Sequence, residues 1–183
     1  MCSDTVLVSQ IQSGNKKALG QLVERHKQVA YRLALGLVGN KDDAFDISQE
    51  AFLRVYKSAN TFDNSKPFLP WFYTIISNLS RTWLRKRKSR DYRMVDVDDV
   101  SFLLVDESNP EMAMEKRETI ASLRSALLQL SFEDREIITL QHFRGMSYEE
   151  IARMLNIPRG TVMSRLYYAR RRLADLMRND SNE

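Results

Sequence analysis

Apolar residues recur along most of this chain at three- and four-residue intervals, the period of helices that bury one face, and no segment shows convincing strand alternation or an internal repeat. Between Ala18 and Val38 the residues Leu19, Leu22, Val23, Val29, Ala30, Leu33 and Leu37 mark such a stripe, interrupted by His26, and Gly39-Asn40 supplies a stop. A second helix is predicted from about Asp42 to Ser58, with Ile47, Ala51 and Val55 inward and Phe45, Phe52 and Tyr56 flanking them. Asn60 to Pro67 reads as a loop. A third helix is predicted from about Pro70 to Arg90, burying Phe72, Ile75, Ile76, Leu79 and Trp83. The pattern then breaks. Residues 91–113 hold Asp96, Asp98, Asp99, Asp106, Glu107 and Glu111, with Asn109-Pro110 as a breaker, the composition of a poorly ordered acidic linker in which Phe102, Leu103 and Leu104 are the apolar exception. Patterning resumes near Met114 with Ile120, Leu123, Leu127 and Leu130; Ser131 is placed to cap a further helix that carries Ile137, Ile138, Leu140 and Phe143 and ends at Gly145. The expected fold is therefore all-α: two small helical domains, residues 1–90 and 114–183, joined by a flexible linker.

Residues 147–172 are the most informative stretch, and they read as a helix-turn-helix. Ser147 can cap a first short helix while Glu150 reaches back to it, a capping box. Ile151, Ala152 and Leu155 give that helix its apolar side, and the turn runs through Asn156 and Ile157 to Pro158, which stops one helix and pre-sets the first turn of the next. The second helix keeps Val162, Leu166, Ala169 and Leu173 on one buried stripe. Its other faces carry Arg159, Thr161, Met163, Ser164, Arg165, Tyr167, Tyr168, Arg170, Arg171 and Arg172. A packed back with short polar and cationic groups in front suits a DNA major groove. Taken by itself, the segment also fits an ordinary helical core with a basic surface.

Charge adds to this picture only through its placement. The net charge is +4, from 28 Lys and Arg against 24 Asp and Glu, a modest excess that matters because it is clustered. The third helix opens on Phe68-Leu-Pro-Trp-Phe-Tyr73 and closes on Arg85-Lys-Arg-Lys88, and Thr74, Asn78, Arg81, Arg85 and Lys88 share one of its faces. Cations neutralise phosphates, aromatic rings stack on unpaired bases, and an amide can pair with a base edge. The second helix instead carries Asp46, Gln49, Glu50 and Leu53 as a stripe opposite its buried side. Carboxylates there would repel phosphate and are better used against a basic protein surface. Asp42, Asp43 and Asp46 do not form a metal site, since they lie on one helix with no histidine and no glycine-turn calcium loop.

Catalysis has no support: GxSxG, CxxC, GxxxxGK[ST] and HExxH motifs are missing and the two histidines are far apart, so neither an enzyme nor a bound cofactor or metal is expected. The one cysteine, Cys2, allows no disulfide within the chain and reads as an incidental thiol in a reducing compartment. No apolar run approaches the roughly 20 residues of a membrane span, and the N-terminus has no secretion signal, so a cytoplasmic protein without membrane insertion is expected.

Together these blocks resemble the sigma-70 family, in particular its small extracytoplasmic-function (ECF) group. Asp43-Ala-Phe-Asp-Ile-Ser-Gln-Glu-Ala-Phe-Leu-Arg-Val-Tyr56 resembles the region that grips the β′ clamp helices of RNA polymerase, Phe68 to Arg87 resembles the region that reads and melts the promoter −10 element, and Arg135-Glu-Ile-Ile onward resembles the −35 reader. The resemblance implies a sigma factor that binds core RNA polymerase through its β′ and β subunits, recognises promoter DNA and initiates transcription, with an anti-sigma partner and with the acidic linker threading the RNA exit path. It implies core contacts at Asp46, Gln49, Glu50 and Leu53. It implies −10 contacts at Phe62, Lys66, Phe68, Trp71, Tyr73, Asn78, Arg81, Arg85 and Lys88, the loop Thr61–Leu69 helping to hold a flipped base. It implies −35 contacts at Arg159, Gly160, Thr161, Met163, Ser164, Arg165, Tyr167, Tyr168, Arg171 and Arg172. Met163, Ser77, Thr82 and the large Trp83 depart from the family's common residues and bear on which promoter is read. Two rival readings use fewer of these features: a stand-alone helix-turn-helix regulator dimerising on palindromic operator DNA, and a protein-only module that sequesters a partner.

Overall fold

Local chemistry sets the helix boundaries. The structure, a computed structural model, describes residues 2–88, 110–142 and 146–180. Ser3 caps α1 (Asp4–Gln12) by accepting from the Val6 N–H. Asn15 caps α2 (Lys16–Val38), and Asn40 caps α3 (Lys41–Ser58) by accepting from the Asp43 N–H at 3.0 Å. Between these two, Gly39 adopts φ 72°, the left-handed closure that glycine permits without strain. A 3-10 turn, Ala59–Thr61, follows α3. The chain continues through α4 (Phe68–Lys88), α5 (Pro110–Gln129), α6 (Phe132–His142), α7 (Tyr148–Leu155) and α8 (Arg159–Asp180), and no strand occurs among the described residues.

Most predicted helices are present, with instructive shifts. The nine-residue α1 has no counterpart in the predicted elements; its Leu7, Val8 and Ile11 are buried, while Val6 is exposed. Helix α4 begins two residues before Pro70, which therefore sits in the first turn, where its missing N–H costs nothing. Helix α5 starts at Pro110, so the last four residues of the predicted linker are helical. The remainder of that acidic segment, with Phe102, Leu103 and Leu104, and the predicted helix end at Phe143 to Gly145, lie outside the described residues. Ser131 caps α6 as expected, its hydroxyl accepting from the Asp134 N–H at 3.2 Å.

Helices α1 to α4 enclose one core, with Leu22, Leu33, Leu37, Val55, Phe72 and Ile76 shielded from solvent. Of the stripe predicted for α4, Phe72 and Ile76 are fully buried, whereas Ile75, Leu79 and Trp83 are half-buried. The same buried cluster continues through α6, α7 and α8 with Ile137, Leu140, Ile151, Val162, Leu166 and Ala169. The two units also pack on each other, α6 against α2 and α7 against α4. At Gly36 the approach is so close that a Cβ would lie 2.6 Å from Cγ2 of Thr139 on α6. The buried Arg135 of α6 donates to the Leu37 carbonyl at 2.6 Å, and to the carbonyls of Leu128 and Leu130 at 2.9 and 3.1 Å.

Candidate nucleic-acid and protein interfaces

The loop leading into α4 is an aromatic floor with a polar rim. Phe62 and Phe68 are 5% and 2% exposed, with Phe62 centred 4.9 Å from Trp71 and Phe68 stacked 5.1 Å from Phe72. This differs from the expected direct contacts at Phe62 and Phe68: both rings are core, and they support the half-buried Trp71 from below. Residues 63–67 above them are exposed. Asp63 accepts from both the N–H and the hydroxyl of Ser65, at 3.0 and 2.7 Å, and these bonds hold its carboxyl below the usual aspartate range. Lys66 Nζ lies 3.7 Å from the same carboxylate. Along α4, Thr74, Asn78, Arg81 and Arg85 are exposed at helical spacing, as the shared face requires; Lys88 is the last residue of α4.

Part of that face is covered by α6. Tyr73, expected at the −10 site, is only 2% exposed, and its hydroxyl donates to Glu136 Oε1 at 2.9 Å. Ser77 donates to the same oxygen at 2.5 Å. Burial, with the Glu136 carboxylate beside it, pushes the Tyr73 phenol well above the ordinary tyrosine range. Arg81 donates to Glu133 at 2.6 Å and stacks 4.3 Å over the Phe132 ring; its hydrogen bond lowers the Glu133 carboxyl. The sequence gives no signal for Glu133 and Glu136, which on their own helix read as ordinary surface carboxylates.

The helix-turn-helix has the expected geometry. Ser147 and Glu150 complete the capping box, whose hydrogen bonds lower the Glu150 carboxyl, and Asn156 makes the turn at φ 53°. The back of α8 is buried through Val162, Leu166 and Ala169. Its front presents Arg159, Gly160, Met163, Ser164 and Arg171, all exposed, with Thr161 and Arg165 partly so. Arg159 also meets Glu149 of α7 at 3.0 Å. Tyr167 is 62% exposed and stands edge-on to Tyr168 at 5.3 Å. Arg172 departs from the expected set: its guanidinium fork donates to both oxygens of the buried Asp134, at 2.7 and 2.8 Å, which ties α8 to α6.

On α3, Asp46, Gln49 and Leu53 are exposed and Glu50 is half-buried, paired with Arg54 one turn away at 2.9 Å. Phe45, Leu53 and Tyr56 leave large apolar groups in solvent beside the carboxylates. An open groove between α2 and α3, lined by Val23, Tyr31, Phe45, Gln49 and Phe52, continues this surface. Elsewhere on α3, Asp43 lies 3.6 Å from Arg87; desolvation nonetheless raises its carboxyl above the usual range. Exposed apolar side chains ringed by charge mark a protein-binding surface better than a DNA-binding one. Among the described residues, no group of histidine, cysteine and carboxylate side chains is placed to hold a metal, and no helix is long and apolar enough to cross a membrane.

Comparison with known proteins assigns both units. The family model for sigma-70 region 2 matches residues 22–90, and that for sigma-70 region 4 matches residues 120–173. The chain is similar to the ECF RNA polymerase sigma factor SigW of Bacillus subtilis, 32% identical over 94% of this chain and 95% of that relative. It is also similar to the RNA polymerase sigma-H factor of Pseudomonas aeruginosa, at 34% identity over 91% of this chain and 90% of that one. Among solved structures, CnrH in complex with the cytosolic domain of CnrY matches with a TM-score of 0.71 and 28% identity, covering 98% of this chain and 99% of that chain. With region 2 laid over α2 to α4 and region 4 over the helix-turn-helix, the chain belongs to the sigma-70 family, in its ECF group of RNA polymerase sigma factors.

Proposed function

We propose that this chain brings core RNA polymerase to promoters by dividing the work among three surfaces. The observation that carries the reading is their separation: exposed carboxylate and apolar groups on α3, and exposed polar and cationic faces on α4 and α8. The α3 stripe of Asp46, Gln49, Glu50 and Leu53 docks on the β′ subunit, where complementary charge guides encounter and Leu53 supplies desolvated area. The α8 front enters the −35 major groove. Arg159, Thr161, Ser164 and Arg165 lie near bases or phosphates, Tyr167 and Tyr168 extend the contact, and Arg171 meets phosphate. At the −10 element the 61–69 loop receives an unstacked base over the Trp71 edge, and Asn78, Arg81 and Arg85 follow the opened strand. Flipping a base costs a few kcal/mol, which stacking and phosphate contacts offset.

Glu133 engages Arg81 in the packed arrangement, so full contact of a strand with the α4 face requires α4 and α6 to part. A protein that stabilises the packed form, as an anti-sigma partner would, keeps the −10 face closed. A regulator that dimerises on operator DNA uses α8 alone and leaves the α3 and α4 faces without a role. The test is co-elution with bacterial core polymerase. The unaltered chain is expected to co-elute, and Leu53→Arg and Asp46→Lys to weaken association at least about tenfold, about 1.4 kcal/mol, while the melting temperature stays unchanged because both side chains are exposed. Undiminished association of both variants contradicts the assignment of α3.

A further inference from the structure

The amide of Gln12, at the C-terminal end of α1, spans about fifty positions of sequence to reach the loop before α4. Its Nε2 donates to the Ala59 carbonyl at 2.9 Å and the Phe62 carbonyl at 3.3 Å, while its Oε1 accepts from Asn64 Nδ2 at 2.8 Å. These partners settle the orientation of the amide, since reversing it would point Oε1 at two carbonyl oxygens and Nε2 at a donor. Three of its hydrogen-bonding positions are thus spent on a single six-residue stretch. The loop's own Thr61, Asp63 and Ser65 bond within it or to the adjacent Ser58.

The strut that carries Gln12 is itself fixed. At the opposite end of α1, Asp4 pairs with Arg25 at 2.5 Å and with His26 at 2.9 Å, and Leu7, Val8 and Ile11 are buried between. The His26 ring is centred 5.3 Å from Phe68, beneath the same loop. α1 therefore ties the polar rim at 59–64 to the rigid face of α2.

We infer that Gln12 is a positioning residue for base recognition: it holds the 59–64 backbone in the shape that presents the loop to an unstacked base. This rests on the reading of the loop as the −10 base holder. A loop that must be ordered at the moment of binding loses affinity and discrimination to that ordering, and one held in advance does not. Gln12 touches no base itself. It acts through Ala59, Phe62 and Asn64.

The experiment uses holoenzyme assembled from core polymerase and the full chain, bound to fork-junction DNA whose single-stranded −10 segment carries each of the four bases in turn at each position. Gln12→Glu keeps the shape and the acceptor for Asn64 but sets a carboxylate against two carbonyls. Gln12→Met keeps the volume of a half-buried side chain and removes every polar contact. The unaltered holoenzyme is expected to prefer one base strongly at a single position. Losing two of these hydrogen bonds in Gln12→Glu and all three in Gln12→Met should reduce that preference roughly tenfold or more in both variants. Binding to a duplex −35 element stays within about twofold, and amide hydrogen exchange accelerates at 60–66 but not in α2 or α4. Variants that keep the full base preference while the loop exchanges faster overturn the role of Gln12 and leave the loop reading intact. An unaltered holoenzyme with no preference at any position overturns the loop reading, and this inference with it.

Discussion

Three consecutive charged residues of α6, Asp134, Arg135 and Glu136, are buried together, and each is answered by a different element. Asp134 takes the fork of Arg172 on α8, Arg135 donates to carbonyls at the ends of α2 and α5, and Glu136 accepts from Tyr73 and Ser77 on α4. A buried charge is tolerated when its hydrogen-bonding capacity is met, and breaking one side of such a set costs more than its net worth. Desolvation already lowers the pKa of the Arg135 guanidinium from the ordinary arginine value. Arg135→Met should therefore cost about 2–4 kcal/mol in urea denaturation, by leaving the carbonyls of Leu37, Leu128 and Leu130 without this donor; a loss near zero would mean that water replaces the guanidinium. The partnerships with Arg172, Leu37, Tyr73 and Ser77 could not be read from the sequence, because those groups lie 38 to 98 residues away. The Ser147–Glu150 capping box was legible for the opposite reason: its members lie within one helical turn, and the pattern that names it is also the geometry that satisfies it.

At the scale of one element, the two kinds of DNA contact proposed for α8 separate experimentally. Arg171, exposed on α8, is assigned to phosphate; Arg171→Ala should weaken −35 duplex binding about equally for every sequence and reduce the salt slope by about one. Ser164, exposed near the N-terminal front of the same helix, is assigned close to bases, so Ser164→Ala should change the preference at one or two base pairs by about 1–3 kcal/mol and leave the salt slope alone. Binding measured against both a salt series and a base-substitution series checks the pair, and an exchange of the two signatures would reverse the assignments. The helices themselves were largely visible in the sequence, since long amphipathic stripes leave little choice of fold class. Helix α1 is not legible by period, because its nine residues hold only three buried apolar positions. In sequence, Phe62 and Phe68 fit a stacking platform and a hydrophobic core equally well, as an aromatic residue near a basic helix does; their packing against Trp71 and Phe72 decides for the core.

For the whole molecule, the packed arrangement of the two units depends on how close α2 and α6 come. The gap at Gly36 admits no side chain: an added Cβ would stand 2.6 Å from one Thr139 side-chain carbon and 2.9 Å from its oxygen, on a β-branched group with little freedom to move. Gly36→Ala should force the units apart while favouring the helix it lies in by about 0.5–1 kcal/mol. The expected outcome is a larger radius of gyration in solution scattering, faster exchange at Tyr73 and Ser77, and tighter binding of single-stranded −10 DNA; an unchanged radius and affinity would mean that the contact does not restrain the −10 face. The central claim concerns what the surfaces achieve together, and run-off transcription tests it most directly. Purified chain added to bacterial core polymerase on a genomic promoter library should yield discrete RNA starts that core alone does not produce, and Leu53→Arg on α3 should abolish them while duplex −35 binding persists. Starts that appear without the chain, or no starts when chain and core are combined without an inhibitor, would contradict it.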